Sequence, residues 1–205
     1  MFLSMFADWK KNRNLSHLKD KDFEFLFDDY DGDEFVVFDT ETTGLNPKND
    51  EILSIGAIKI KDNKILTSQT FEIFLQNSCE ISSKSIEIHH IRQCDLQNAT
   101  IPEFGIKEFL NFIGSRPLIG YYIEFDISMI NKYIEPMLGI RLPNKTIEVS
   151  EIYFEKKISL IPQGNIDLRF DVILKDCNLP NMGAHNAVND AIMTAMIYLK
   201  LTKEK

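Results

Sequence analysis

The sequence predicts an α/β fold in which one mixed sheet is flanked by helices. Three observations carry this reading. Phe35-Val36-Val37-Phe38 is a short unbroken apolar run, as expected of a strand buried on both faces. Two further strand patterns, Glu51 to Ile60 and Ile65 to Leu75, are separated only by the polar turn Lys61-Asp62-Asn63-Lys64, which makes an antiparallel meander. After residue 100, helical and strand patterns alternate, the rhythm that lays helices against a sheet.

Residues 1–33 read as an N-terminal helical appendage to a main domain spanning 34–205. Met5, Phe6 and Trp9 suit a short helix carrying the basic residues Lys10, Lys11 and Arg13; Phe23 to Phe27 and the acidic stretch Asp28 to Glu34 follow. Packing of this segment on the main domain through Trp9 and the Phe residues is expected. After the meander, Thr100-Ile101-Pro102-Glu103 predicts a helix start, with Thr100 as N-cap and Glu103 closing a capping box. That helix should stop at Gly114. Pro117 to Tyr121 is the next strand, and Phe125 to Leu138 a helix closed by Gly139. A strand near Thr146 to Val149, a helix near Asp167 to Cys177 and a terminal helix near Ala187 to Leu201 complete the order. In the last helix Ile192, Met193, Met196, Ile197 and Leu199 form an apolar stripe suited to the core.

Composition narrows the function. The 205 residues are 44% hydrophobic and 26% charged, an ordinary globular profile that excludes disorder, collagen and coiled coil. Lys and Arg number 23 against 31 Asp and Glu, a formal charge of −8, which argues against coating nucleic acid through bulk positive charge. Metal ions gathered by acidic side chains can instead neutralise a phosphate locally. Cys79, Cys94 and Cys177 form neither a zinc motif nor a disulfide framework, so a reducing cytoplasm is expected. No secretory signal or membrane-length apolar run is visible. The absence of Gly-rich phosphate loops removes support for kinases, P-loop enzymes and dinucleotide-binding dehydrogenases.

The chemistry concentrates in a few acids. Asp39 and Glu41 lie two apart at the end of the first strand, so both carboxylates project from one face with Cα atoms about 7 Å apart. Ionised, they are hard oxygen ligands suited to Mg²⁺ or Mn²⁺. Thr42-Thr43-Gly44-Leu45 follows, a loop of small hydroxyl residues with an apolar tip that can grip the end of a polynucleotide. Asp126 falls in the first turn of a helix, where an acid alone would merely complement the helix dipole. His185 precedes the terminal helix, Asp190 lies in its first turns, and Asn186 is placed to cap it.

Taken together, Phe38-Asp39-Thr40-Glu41-Thr42-Thr43-Gly44-Leu45, then Phe125-Asp126, then His185-x4-Asp190-Ala191 resembles the DnaQ-like, DEDDh-class 3′-5′ exonucleases over about residues 34–201. The resemblance implies a ribonuclease H-like fold, in agreement with the element order above. It implies two divalent cations, Mg²⁺ or Mn²⁺, held by Asp39, Glu41, Asp126 and Asp190, with His185 as general base. It also implies that Thr42 and Thr43 meet a terminal 3′-hydroxyl, that Leu45 wedges beside the last base, and that Phe125 adds apolar contact. Such contacts are tolerant of sequence. Ile88-His89-His90-Ile91 resembles the family's Ile-His-Gly-Ile segment with His90 in place of glycine; His89 and His90 are expected in loop or packing roles. The chain also departs where the family commonly has His-Asn, here Tyr121-Tyr122, and often Arg, here Asn186.

The expected activity is therefore metal-dependent 3′-5′ hydrolysis of single-stranded ends, DNA favoured over RNA, releasing nucleoside monophosphates. The alternatives are an exoribonuclease on short RNA or RNA 3′ tails, and a noncatalytic polymerase-associated nucleic-acid-binding module. Association with a DNA polymerase would fall to residues 1–33, since the sequence stops soon after the terminal helix.

Overall fold

The computed structural model describes residues 11–160, 165–183 and 185–203. Its five-stranded sheet runs in the order β3-β2-β1-β4-β5, from β1 (Phe35–Thr42), β2 (Ile52–Lys61), β3 (Lys64–Phe74), β4 (Leu118–Gly120) and β5 (Thr146–Glu148). The first three strands are the expected antiparallel meander, and β4 and β5 join in parallel. Asp62 and Asn63 take positive φ of 48° and 57° between β2 and β3, the backbone twist that a two-residue hairpin requires.

Helices of the main domain flank this sheet: α1 (Ser83–His89), α2 (Pro102–Ile113), α3 (Ile123–Leu138), α4 (Val149–Leu160), α5 (Phe170–Asp176) and α6 (Ala187–Lys203). The unbroken apolar run of β1 is explained by burial on both sides. Val36 and Phe38 enter a cluster with α2 and α3, where the Phe38 and Phe109 rings lie 5.1 Å apart. Val37 enters a second cluster with Ile58, Ile60 and the α6 residues Met193, Ala195 and Ile197. Each such buried side chain is worth about 1.5–3 kcal/mol. Among the described residues, no helix is long and apolar enough to cross a membrane.

As expected, Asp39-Thr40-Glu41 closes β1, which ends at Thr42 with a register irregularity against β2 between Glu41 and Thr42. Two expectations are corrected. Thr100 does not cap α2. Its backbone pairs with the sheet edge instead, donating to the Phe74 carbonyl and accepting from Gln76, so Ile101 becomes the N-cap without a side-chain bond. The helix expected near Asp167 starts at Phe170, because Asp167 folds back onto the N–H and guanidinium of Arg169.

Met5, Phe6 and Trp9 lie outside the described residues. Farther along the same segment, Leu15, Leu18, Phe23, Leu26 and Phe27 pack into the α2–α3 cluster. Asn14 bonds both the carbonyl and the N–H of Arg141, and the N–H of Lys19 reaches the Leu138 carbonyl. This segment clasps the C-terminal end of α3.

Candidate active site

The site forms at the C-terminal end of β1, where the sheet is approached from both faces. Asp39 and Glu41 project toward α6, with Thr40 between them on the α3 side. Gly56 stands opposite Asp39 in β2, and the backbone of Ala187 and Val188 occupies the space a side chain would need. That close approach brings the first turn of α6 down onto the strand. One ligand oxygen each from Asp39, Glu41 and Asp190 consequently lie within 4.8 Å of one another.

Asp126 arrives from the other face. It is buried in the first turn of α3, and Thr40 donates both its N–H (3.0 Å) and its hydroxyl (2.5 Å) to Asp126 Oδ1. The start of α3 is itself fixed by Glu148, whose carboxylate accepts from the N–H of Ile123 (2.9 Å) and from the N–H and hydroxyl of Ser150. Glu148 thereby caps two helices and adds its own charge near Asp126.

Electrostatics follow from this crowding. Burial raises Asp39 well above the carboxylate range, and the charges of Asp126, Glu41 and Asp190 add to it. Glu41 is pushed up to about 7 by burial and then by Asp190 and Asp126. Asp126 also reaches about 7, burial outweighing the two bonds from Thr40. Asp190 is raised by burial, opposed by the backbone N–H of His185, which donates to Oδ2 at 2.8 Å. Its other oxygen, Oδ1, is buried without a hydrogen-bond partner. Converging hard oxygens, raised pKa values and an unsatisfied carboxylate oxygen form a donor set that fits divalent cations.

His185 is exposed and left-handed (φ 66°), and Asn186 caps α6 through the N–H of Asn189. His89 closes α1 rather than lying in a loop and is buried. Its Nδ1 accepts from the N–H of Ile91 at 3.1 Å, which leaves the proton of a neutral ring on Nε2, buried and without a hydrogen-bond partner. Burial, then the charges of His90 and His185, lower its pKa. His90 takes φ 60° as the C-cap of α1, a conformation that glycine adopts without strain and that costs another residue about 1–2 kcal/mol.

The Thr42–Leu45 loop is organised by a residue the sequence did not single out. Asp50 accepts the Thr43 hydroxyl (3.0 Å) and the Asn46 N–H (2.7 Å), while the Lys132 ammonium holds the Asp50 carbonyl. Gly44 packs against the Asp50 carboxyl group, and Ser85 donates to the Thr43 carbonyl. Thr42 and Thr43 are buried, whereas Leu45 at the tip is 86% exposed. Phe125 is half-buried against the α2–α3 cluster.

A family model described as Exonuclease (RNase_T) matches residues 36–198. The chain belongs to this exonuclease family. The match agrees with the DnaQ-like resemblance of the three motifs and with the ribonuclease H-like sheet. Relatives of this exonuclease chain include the DNA polymerase III PolC-type protein of Caldanaerobacter subterraneus, 33% identical over 171 residues, and the DNA polymerase III subunit epsilon of Aquifex aeolicus, 27% identical over 175 residues. The alignment covers 83% of this chain in both cases, but 12% of the PolC-type protein and 81% of the epsilon subunit. The chain thus spans only a small part of its PolC-type relatives. Among solved structures, E. coli exonuclease I in complex with a dA16 oligonucleotide superposes with a TM-score of 0.70 at 15% identity, over 84% of this chain and 41% of that one. Exonuclease X in complex with 5′-overhanging duplex DNA gives 0.63 at 19% identity, over 82% and 91%. At these identities the superpositions speak for the fold alone.

Proposed function

We propose that this exonuclease removes nucleoside monophosphates from single-stranded 3′ ends, DNA in preference to RNA, using two divalent cations, Mg²⁺ or Mn²⁺. The observation that carries the reading is the meeting of Asp39, Glu41 and Asp190 within 4.8 Å, with Asp190 Oδ1 buried and unsatisfied. Those three carboxylates and Asp126 would hold the cations. Bound there, the ions supply a lowered pKa for the attacking water and positive charge against the phosphoryl transition state.

The chain's own residues do the rest. The His185 imidazole, exposed at the head of α6, accepts the proton of the attacking water, the general-base task that imidazole most often serves. Its backbone N–H meanwhile orients Asp190. In this reading the Asp50-braced loop sets the Thr42–Thr43 segment, its side chains turned inward, beside the terminal sugar and exposed Leu45 beside the last base, with Phe125 alongside. Residues 34–205 form the exonuclease unit in this reading, with 1–33 as its appendage. The PolC-type and epsilon relatives support association with a DNA polymerase.

The test is degradation of matched 3′-end-labelled DNA and RNA strands, with metal and with chelator. Metal-dependent release of mononucleotides, faster from DNA, is expected. Faster release from RNA would favour the exoribonuclease reading, and folded protein that shortens neither strand would overturn the proposal.

A further inference from the structure

Tyr121 and Tyr122 sit between β4 and α3, immediately before the helix that carries Asp126. Tyr122 is the N-cap of α3 in a left-handed conformation (φ 54°, ψ 36°). Its side chain satisfies no helix N–H and is 61% exposed. A bulky residue held in this region is strained, and such strain persists only where the surroundings enforce it.

The surroundings here are aromatic. The Tyr122 and Tyr121 rings meet T-shaped at 4.8 Å, and Tyr121 packs on Phe170 at 4.9 Å. Tyr121 is anchored in turn, its hydroxyl donating to the Leu168 carbonyl at 2.9 Å. The exposed ring is therefore braced from behind, with few rotamers to lose when something settles on it. A T-shaped neighbour covers at most one face of a ring, so the contact leaves the other face of Tyr122 free of Tyr121.

We propose that Tyr122 is a base-stacking platform, on which a nucleobase of the incoming single strand settles upstream of the bond to be cut. This rests on the exonuclease reading above and assigns part of its preference for unpaired strands. A base within a duplex has both faces covered by its neighbours, whereas a base in a single strand can offer one to a ring. A non-aromatic residue at 122 would keep the acids and lose this contact.

The test combines turnover and binding on eight-nucleotide strands, either fully based or abasic at every position but the last. Tyr122→Ala is expected to raise KM roughly ten-fold with kcat nearly unchanged, and Tyr122→Phe to restore KM. Tyr122→Asn, which tolerates the left-handed backbone, should fold and share the KM defect of Tyr122→Ala. The abasic strand should weaken wild type by a similar factor and leave Tyr122→Ala unaffected. Wild-type KM in Tyr122→Ala, or equal sensitivity of both proteins to abasic strands, would overturn the proposal. Fluorescence anisotropy of the same strands in chelator separates the two readings. Failure of wild type to cut anything defeats the exonuclease reading. Tyr122 is then judged by binding alone, about ten-fold weaker in Tyr122→Ala if it stacks and equal if it does not.

Discussion

Gly56 lies across from Asp39, and a Cβ placed on it would come 2.2 Å from both the carbonyl carbon of Ala187 and the backbone nitrogen of Val188. The contact is with helix backbone, which cannot rotate away as a side-chain tip can. Gly56→Ala must therefore push the head of α6, and Asp190 with it, off the strand. The expected cost is about 3 kcal/mol or more of stability. Mn²⁺ affinity should fall as well, and thermal melts with and without Mn²⁺ read both effects.

The crowded acids strain the metal-free protein. Asp39→Asn replaces a carboxyl that its neighbours force either to hold a proton or to carry an unfavourable charge, so it should raise the melting temperature without metal at alkaline pH while abolishing metal-dependent cleavage. A melting temperature several degrees below wild type would mean that Asp39 stabilises the fold.

The same cluster sets a pH dependence. Glu41 and Asp126 titrate at about 7 in the folded protein and near 4 when unfolded, so between these values the folded state holds more protons. Stability from these two groups is complete below about pH 4 and lost as pH rises through 7. Metal-free protein should melt at least about 5 °C higher at pH 5 than at pH 8. Saturating Mn²⁺, which favours the ionised carboxylates, should shrink or reverse that difference.

Thr40→Val deletes the hydroxyl that bonds Asp126 Oδ1 but keeps the backbone N–H bond. Asp126 should then titrate higher still, and the acidic limb of the pH–rate profile should move up. An unchanged limb would remove Asp126 from the set of groups whose ionisation governs turnover.

Asp50→Ala releases the Thr43 hydroxyl and the Asn46 N–H, loosening the loop that presents Leu45. The expected result is a rise in KM larger than the fall in kcat, at a stability cost of about 1–2 kcal/mol. Steady-state kinetics on short strands measure the split, and Asp50→Asn should recover part of the loss.

Much of the site was legible because its signals are local. The two-residue alternation on β1 placed Asp39 and Glu41 on one face, and Asn186 marked the start of α6. The contacts that bring the acids together were not. Gly56 matters only because another element settles on it, and Glu148 because α3 and α4 start side by side. Asp50 matters because its loop turns back on itself. Among the elements, α4 escaped because Val149, Ile152, Tyr153, Phe154 and Ile158 are spread around its axis. α1 has only Ile86 and Ile88 to show a period. The Thr100 capping signal misled because its backbone was needed by the sheet edge.

The most direct test of the carboxylate site is a Mn²⁺ titration followed by electron paramagnetic resonance on wild type, Asp39→Asn and Asp190→Asn. Two ions bound per wild-type chain, with binding lost or greatly weakened in both variants, is the predicted result. Mn²⁺ binding that survives unchanged in folded Asp39→Asn and Asp190→Asn would contradict it.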